Sequence, residues 1–294
     1  MIMKKIVYIT LAFAALLTAC SKAEQPETKV QPHHVELTLT TEQAATKTTI
    51  STDGSTYNRV WKKGDRVSIL YSTGSDPEVA HNECFTLIDG AGTTTGTFGC
   101  DESELSGPQA NIRVLYPYTN AEYNDSWWSR SIETQAYGYL DYLGDFDLML
   151  GSGSYNGSAF SVGALEPQVF YFHFPAGLQL VGNSAGSATV TLSLTGMAGT
   201  TVRNEFLNHK TLNTASTREG AINVTNVQLT DGCLVSDIYM AVNTLGNSNE
   251  SFNLTVADAT HNCLYIFGRG EGKYLYKGNI YHLSQSKFSP VANW

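Results

Sequence analysis

The sequence predicts an all-β protein built from β-sandwich domains. Apolar and polar residues alternate in short runs, which is the period-two pattern of strands with one buried face. Thr, Ser, Gly and Asn are abundant throughout, and these residues suit strands joined by tight turns. No segment combines a sustained helical period with capping residues. About fifteen short strands, spaced by roughly 8–15 residues, favour sandwiches over a parallel sheet.

The first twenty residues have the pattern of an export signal. Two lysines precede an uncharged, mostly apolar run over residues 6–17, which is too short to span a bilayer. The run ends on Leu17-Thr18-Ala19-Cys20, which resembles a bacterial lipoprotein signal. The resemblance implies that residues 1–19 are removed and that Cys20 receives acyl chains, which anchor the chain in the envelope of a diderm bacterium. The alternative is an ordinary secretory signal with a chance cysteine.

Composition limits the partners of the remaining chain. Residues 20–32 are polar, carry two prolines and are interpreted as a flexible tether. The net charge is −9 and no block of basic residues occurs, which argues against nucleic acid as a partner. Membrane contact is therefore assigned to the lipid. Four cysteines follow Cys20, too few over this length for a disulfide scaffold.

The predicted strands follow one another with few interruptions. In order they are Val35–Thr40, Arg59–Trp61, Arg66–Tyr71, Glu83–Leu87, Thr93–Cys100, Asn111–Tyr118, Gln168–Phe174, Leu178–Val181, Thr189–Leu194, Ile222–Leu229, Leu234–Val242, Phe252–Ala257, Cys263–Phe267 and Tyr274–Leu283. His173 alternates with phenylalanines, so it is expected to face solvent or a neighbouring sheet. Gly163–Pro167 marks the predicted boundary between an N-terminal domain over 33–166 and a C-terminal domain over 167–294.

Several landmarks along the mature chain resemble one family. They are Cys20, the strand Val35–Thr40, Lys47-Thr48-Thr49, the Trp61–Val67 box, Asp145–Met149, Phe172–Phe174 and Lys277–Tyr281. Taken by themselves, these landmarks have structural explanations: Trp61 packs inward, and one aspartate of Asp145–Met149 caps a turn. In this order and spacing they resemble the fimbrillin-like (FimA/Mfa-like) lipoproteins of Bacteroidales, the subunits of type V pili.

The resemblance implies a fold and a role. It implies two transthyretin-like β-sandwich domains in tandem, and a lipid-anchored, surface-exposed protein of the cell outer membrane. The role is that of a pilus subunit or a pilus-associated adhesin, without enzyme activity and without a cofactor. Partners would be other pilus subunits, or further copies of the chain, joined by strand donation. Stalk, tip and anchor positions stay open.

The resemblance also implies a mechanism of assembly. In pilin-type members a protease specific for Arg or Lys cuts after the first strand, and a strand from another subunit takes its place. In this chain the detachable strand is 35–41, with Val35, Leu37 and Leu39 on its buried face. Lys47 is the predicted processing site and Arg59 the alternative. Absence of any cut, the pattern of anchor subunits, stays open.

The alternative function is a non-polymerising surface lipoprotein that binds a glycan or a host ligand. Ten aromatic residues fall within the stretch 116–155. Trp127 and Trp128 are the candidate ligand contacts there, because adjacent residues of a strand point to opposite faces and one of the two must face outward. Packing or subunit contact is the other interpretation of these residues.

The remaining motifs carry little chemistry. Cys84 and Cys100 are equidistant from Gly92, so they are a candidate disulfide, with free buried thiols as the alternative. The G-x-S-x-G match around Ser184 is followed by a predicted strand, whereas a hydrolase needs a helix there. His33-His34 has no third ligand nearby. The sequence therefore predicts no catalytic residue and no metal site.

Overall fold

The structure of the chain is a computed structural model. The residues it describes are 32–41, 59–72, 80–118, 127–136, 138, 145–182, 185–196, 198–199, 201–205, 214–216, 220–244, 251–268 and 275–289. His33–Trp294 belong to one compact unit. Within the described ranges, no helix has the length and apolar character needed to cross a bilayer.

Every regular element of the described residues is a β-strand, apart from short 3-10 turns such as Gln285–Lys287. The predicted all-β class is confirmed. In chain order the strands are β1 (His33–Thr40), β2 (Arg66–Ser72), β3 (Ala80–Asp89), β4 (Thr95–Ser103), β5 (Gln109–Tyr116), β6 (Trp127–Ser131), β7 (Thr134–Ala136), β8 (Met149–Tyr155), β9 (Phe160–Val162), β10 (Glu166–Pro167), β11 (Phe170–Phe174), β12 (Ser187–Gly196), β13 (Ala198–Gly199), β14 (Thr201–Glu205), β15 (Thr214–Ser216), β16 (Ile222–Thr230), β17 (Cys233–Leu234), β18 (Ile238–Thr244), β19 (Ser251–Ala257), β20 (Asn262–Gly268) and β21 (Ile280–His282).

The first sheet comes close to closing on itself. Its order is β1-β4-β3-β2-β5-β8-β10, with β9 paired to β8, and all its strand pairs are antiparallel. The two ends of this order meet at one point. Thr41, just after β1, forms a parallel bridge with Leu165, just before β10. The Leu165 N–H also donates to the Thr40 carbonyl at 2.9 Å, which gives the sheet a nearly barrel-like form.

Trp61 is a large side chain at the centre of the first core. It is 2% exposed, and its ring packs edge-to-face with Phe98 and with Tyr116, with ring centroids 4.9 Å and 5.3 Å apart. The space for this ring depends on Gly96, since a Cβ there would lie 2.7 Å from Trp61 Cδ1. The inward packing predicted for Trp61 is therefore confirmed.

The predicted strand over Arg59–Trp61 is wrong. These residues form no ladder, and Trp61 lies beside the turn of the β3–β4 hairpin instead. The Trp61 N–H donates to the Thr93 carbonyl at 2.9 Å, and the Trp61 carbonyl accepts from the Gly92 N–H at 2.7 Å. The backbone hydrogen bonds of Trp61 thus go to a turn, and no described strand pairs with the segment.

Three further sheets follow the first. Their orders are β13-β18-β11-β21, β17-β16-β12-β19-β20 with β7 paired to β16, and β15-β14-β6. The second core combines buried residues from β11, β12, β16, β18, β19 and β20. All five residues of β11 are buried, so this strand is covered on both faces. His173 accordingly faces a neighbouring strand, and its ring stacks on Tyr239 at 4.5 Å.

Two short strands connect the predicted domains. β6 and β7 fall within the predicted N-terminal range 33–166, yet they pair with β14 and β16 of the predicted C-terminal range. Leu70, Leu115, Leu148 and Leu150 of the first sheet region also belong to the second core. The limits at 166 and 167, and the tandem sandwich arrangement, stay predictions.

The candidate disulfide between Cys84 and Cys100 is not formed. All cysteines within the described residues are free thiols. Near the turn the hairpin is centred on residue 93, since Asp89 pairs with Thr97, and a bulge between Leu87 and Asp89 then shifts the β3–β4 register by one residue. Cys100 therefore lies opposite Phe85 and beside the first core, whereas Cys84 lies on the other face of the sheet. Burial raises the pKa of both thiols.

Candidate functional site: the first strand and its attachment

The first strand, β1, is attached by a full ladder and by three aliphatic side chains. It pairs with β4 from His33 to Thr40, with one irregularity between His33 and Val35. The residues on its inner face, Val35, Leu37 and Leu39, are 6%, 2% and 1% exposed and belong to the first core. The opposite residues alternate outward into solvent. One strand of this core is thus supplied by the segment that follows residue 32.

The outer edge of β1 is largely unpaired within the described residues. Among them, Leu165 meets the strand at Thr40 and Thr41, and no other described residue forms a ladder or a bridge with that edge. β1 is therefore held along one edge by β4, through its apolar face, and by one bridge at its end. Removal of β1 would break a single ladder and leave the edge of β4 open.

The end of β1 lies beside the residue at which the described chain resumes. The Thr41 hydroxyl donates to the Arg59 carbonyl at 3.3 Å, and the Thr41 N–H donates to the Thr94 carbonyl at 3.0 Å. Thr41 and Arg59 are 2% exposed. The two described residues on either side of 42–58 are therefore in contact. Lys47, the predicted processing site, lies in this stretch, outside the described residues.

Arg59 forms a buried ion pair immediately after that stretch. Its Nε donates to Asp147 Oδ2 at 2.6 Å and its Nη2 donates to Asp147 Oδ1 at 2.5 Å. The two side chains are 1% and 4% exposed. Burial lowers the pKa of the guanidinium, but the charge and hydrogen bonds of Asp147 outweigh this and raise it. The pair is bidentate, the geometry in which arginine binds a carboxylate most strongly.

A tyrosine connects this ion pair to the second core. The Tyr171 hydroxyl, on β11, donates to Asp147 Oδ1 at 2.9 Å. Burial, and then the charge of Asp147, raise the pKa of Tyr171 well above its ordinary value, so the hydroxyl keeps its proton. Asp147 thus accepts three hydrogen bonds and joins the segment after β1 to a strand of the other core.

The two predicted processing sites differ in accessibility. A protease specific for basic residues must take the side chain into its own pocket. The Arg59 side chain can enter such a pocket only after its pair with Asp147 breaks, because it is buried with that carboxylate. Lys47 is separated from the buried Thr41 by five residues. The geometry therefore disfavours Arg59 as the alternative site and leaves Lys47 as a prediction.

No sequence pattern identifies Asp147 as the partner of Arg59. The Asp145–Met149 landmark was interpreted as a turn cap, whereas Asp147 is 3% exposed and charge-paired. The two residues are 88 positions apart, so no local pattern connects them. The available signal is weak: Asp147 directly precedes Leu148 and the buried start of β8. A charge beside such an apolar run requires a partner when it is buried.

The other end of β1 carries an exposed polar cluster. His34 Nδ1 lies 2.6 Å from Asp101 Oδ1 on β4, and His34 Nε2 lies 2.9 Å from Glu36 Oε1. Hydrogen bonds to Glu36 and Asp101 raise the pKa of His34. The imidazole is half exposed, so the cluster contributes little to strand attachment. Within the described residues, no group of three His, Cys, Asp or Glu residues has the arrangement of a metal site.

The remaining predicted site residues are not brought together with β1. Cys20 lies outside the described residues. Trp127 and Trp128 belong to β6, which pairs with β14 in the three-stranded sheet, so their backbone lies on a different sheet from β1. The described chain therefore presents one strand-attachment site, formed by β1, β4, Thr41 and the Arg59–Asp147 pair.

Comparisons with known proteins do not identify the family of this chain. No family model matches the sequence, and no curated protein matches it. Among solved structures, the fold is similar to two crystal structures named as that of a "putative cell adhesion protein". The one from Bacteroides uniformis is 14% identical, with a TM-score of 0.49, over 86% of this chain and 95% of that chain. The one from Bacteroides ovatus is 11% identical, with a TM-score of 0.42, over 81% and 86%. At these values neither similarity establishes a shared function.

Proposed function

We propose that this chain is a surface-exposed lipoprotein of the fimbrillin-like class, anchored in the outer membrane through Cys20. In this proposal it folds as two tandem β-sandwich domains and acts as a pilus subunit or pilus-associated adhesin. Its role is binding and assembly, without catalysis. Its partners are other pilus subunits or further copies of the chain, which donate a strand to the site that β1 leaves.

The observation that carries the proposal is the attachment of β1. An eight-residue strand supplies three side chains to a core, yet it has only one full ladder and one bridge among the described residues. Thr41 and Arg59, the described residues on either side of 42–58, are in contact. One cut in that stretch would separate β1 from the rest of the fold without breaking any other described strand.

A cut by itself would leave β1 in place. Three buried aliphatic side chains contribute roughly 1.5–3 kcal/mol each, in addition to the ladder with β4. The cut strand therefore stays until another strand with the same alternation competes for β4. The competing strand would satisfy the same backbone groups and fill the same apolar positions, which is β-augmentation.

The proposal is tested by mild trypsin treatment of the full-length chain, followed by a gel without boiling and by N-terminal sequencing. We expect a cut after Lys47 and a ladder of polymers in the wild type. Lys47→Ala should keep β1 attached and the protein monomeric. Lys29→Ala is the matched control, because a cut at residue 29 lies before β1 and cannot separate it from the fold.

Two results would contradict the proposal in different ways. A ladder that forms equally well in Lys47→Ala would exclude Lys47 as the required site. A single nicked monomer, even with a competing strand peptide added, would exclude polymerisation through β1. The second result would favour the non-polymerising surface lipoprotein, with Trp127 and Trp128 as the first residues to test for glycan binding.

A further inference from the structure

A second edge strand of the molecule has an unusual outer face. β20 lies at the end of the sheet β17-β16-β12-β19-β20 and pairs with β19. Its inner residues Cys263, Tyr265 and Phe267 are 2%, 6% and 7% exposed. Between them, Leu264 and Ile266 are 60% and 66% exposed on the outer face. No described residue forms a ladder with the other edge of β20.

This edge lacks the features that normally prevent strands from pairing between molecules. Natural edge strands are protected by charged residues, prolines, bulges or shortness. β20 has seven residues, none of them charged and none a proline, and its ladder with β19 runs through seven consecutive pairs without a bulge. The other edges differ. β7, β9, β10, β13, β15, β17 and β21 have two or three residues each, β6 carries Arg130, and β1 carries Glu36 and is bridged by Leu165.

The surface beside this edge is also uncharged. The outer residues of β19 are Ser251, Asn253, Thr255 and Ala257, and those of the next strand, β12, include Thr191, Ser193 and Thr195. This is notable in a chain of net charge −9. A strand that approaches β20 would therefore desolvate backbone groups and aliphatic side chains, and β20 itself contributes no charge. Asp258 and His261, which lie 3.2 Å apart, are in the turn before it.

We propose that β20 pairs with β20 of a second copy of this chain, antiparallel, about a two-fold axis at Tyr265. In this register Leu264 lies opposite the partner's Ile266, and Ile266 lies opposite the partner's Leu264. The two sheets then form one continuous sheet across the dimer. The inference goes beyond the proposed function and does not depend on the release of β1.

The sequence of β20 is complementary to a second copy of itself. Leu264 and Ile266 lie one residue on either side of Tyr265. Antiparallel pairing about Tyr265 therefore places Leu264 of each copy against Ile266 of the other, and both side chains are covered. The same patch then serves both subunits, as a two-fold interface requires. An uncharged strand does not repel its own copy, although the net charge of the whole chain is repulsive. One strand pair buries less area than a permanent dimer, so the association is weak.

The dimer is tested by sedimentation velocity over a dilution series of the full-length chain in detergent. The wild type should shift from monomer to dimer as its concentration rises. Leu264→Lys and Ile266→Lys should each raise the dissociation constant at least about tenfold, since each substitution enters a symmetric interface twice. Thr189→Lys is the control, because Thr189 is exposed on the same face but lies on β12. All three variants should keep the wild-type melting temperature.

The register is tested with cysteine variants under mild oxidation. Directly opposed residues are about 5 Å apart and diagonal ones about 7–8 Å. An equal mixture of Leu264→Cys and Ile266→Cys should therefore cross-link faster than either variant alone, with the wild type as the background. Equal self-linking of Leu264→Cys would overturn the Tyr265 register. A wild type that stays monomeric at every concentration would overturn self-pairing and leave the edge to a strand of another protein.

Discussion

At the scale of single residues, the Arg59–Asp147 pair has the largest predicted effect on stability. A buried guanidinium that loses its carboxylate becomes an uncompensated charge. Asp147→Asn should therefore lower the free energy of unfolding by roughly 3–5 kcal/mol, measured by urea denaturation at neutral pH. Asp145→Asn is the control, because Asp145 lies two residues away and is exposed. Equal midpoints for Asp147→Asn and wild type would mean that the ion pair does not form in solution.

A second residue-scale prediction concerns pH. His173 is buried, its Nδ1 lies 2.6 Å from the Nδ1 of His282, and its Nε2 lies 3.4 Å from Asp237 Oδ1. Burial is the largest influence on its pKa, which is lowered from 6.5. On acidification, His173 is therefore protonated at a higher pH in the unfolded chain than in the folded one. The stability that neutral, buried His173 contributes is present above pH 6.5 and is lost as the pH falls below it.

The test compares wild type with His173→Gln. On acidification from pH 7.5 to 5, the wild type should lose more unfolding free energy than the variant, by less than about 1.4 kcal/mol per pH unit. The comparison cancels the contributions of histidines that do not contact His173, including His34, whose raised pKa acts in the opposite direction. Parallel pH profiles for the two proteins would show that His173 does not titrate differently in the folded state.

The local sequence predicts the environment of a side chain correctly where one local rule decides it. Alternation around Leu37 predicts its buried side correctly, and the turn at Gly64, with φ of 91°, needs a glycine. It failed for Asp147 and left His173 open, because their partners come from strands distant in the chain. Burial of a polar residue depends on which other strands cover it, and one segment does not contain that information.

At the scale of elements, β1 offers a direct comparison between its two faces. Leu37 is 2% exposed, and its neighbour Thr38 is exposed. Leu37→Ala should lower the free energy of unfolding by about 2–5 kcal/mol, because it leaves a cavity in the first core. Thr38→Ala should change it by less than about 0.5 kcal/mol. Both values come from urea denaturation, and similar losses for the two variants would contradict the docking of β1 through one face.

Most strands were predicted from alternation, but their pairing was not. β2, β4, β12, β16, β19 and β20 lie close to their predicted ranges. The Cys84–Cys100 pairing failed because one bulge near Asp89 moves the register by a residue, which places the two cysteines on opposite faces. Short strands such as β6 and β7 lack a clear period. They become strands because partners from the second half of the chain satisfy their backbone groups.

At the scale of the whole molecule, the first prediction concerns anchoring. Cys20→Ala removes the thiol that lipidation requires, so the variant should remain unprocessed or leave the membrane fraction. Its mass and its partition into detergent, measured against wild type produced in the same host, provide the test. A variant that has the mature wild-type mass and still partitions into detergent would contradict the lipoprotein prediction.

The last prediction concerns the cooperativity of the fold between residues 33 and 294. Gln135, on β7, is 1% exposed and binds both backbone groups of Ala241 on β18. Its Nε2 donates to the Ala241 carbonyl at 2.7 Å, and its Oε1 accepts from the Ala241 N–H at 2.9 Å. Gln135→Leu leaves both groups buried without this partner, which should cost about 1–3 kcal/mol for each unsatisfied group.

The location of that loss distinguishes one cooperative unit from two independent domains. Hydrogen exchange is followed in β2 and β5 of the first sheet and in β12 and β18 beyond it. We expect Gln135→Leu to lower protection in all four strands by the same free energy, because β6, β7 and the Asp147–Tyr171 contact connect the two cores. Thr134→Ala, which changes an exposed neighbour on β7, should leave protection unchanged. If only β12 and β18 lose protection, the chain unfolds as separate units, and the predicted boundary at 166 and 167 divides it energetically despite the strands that cross it.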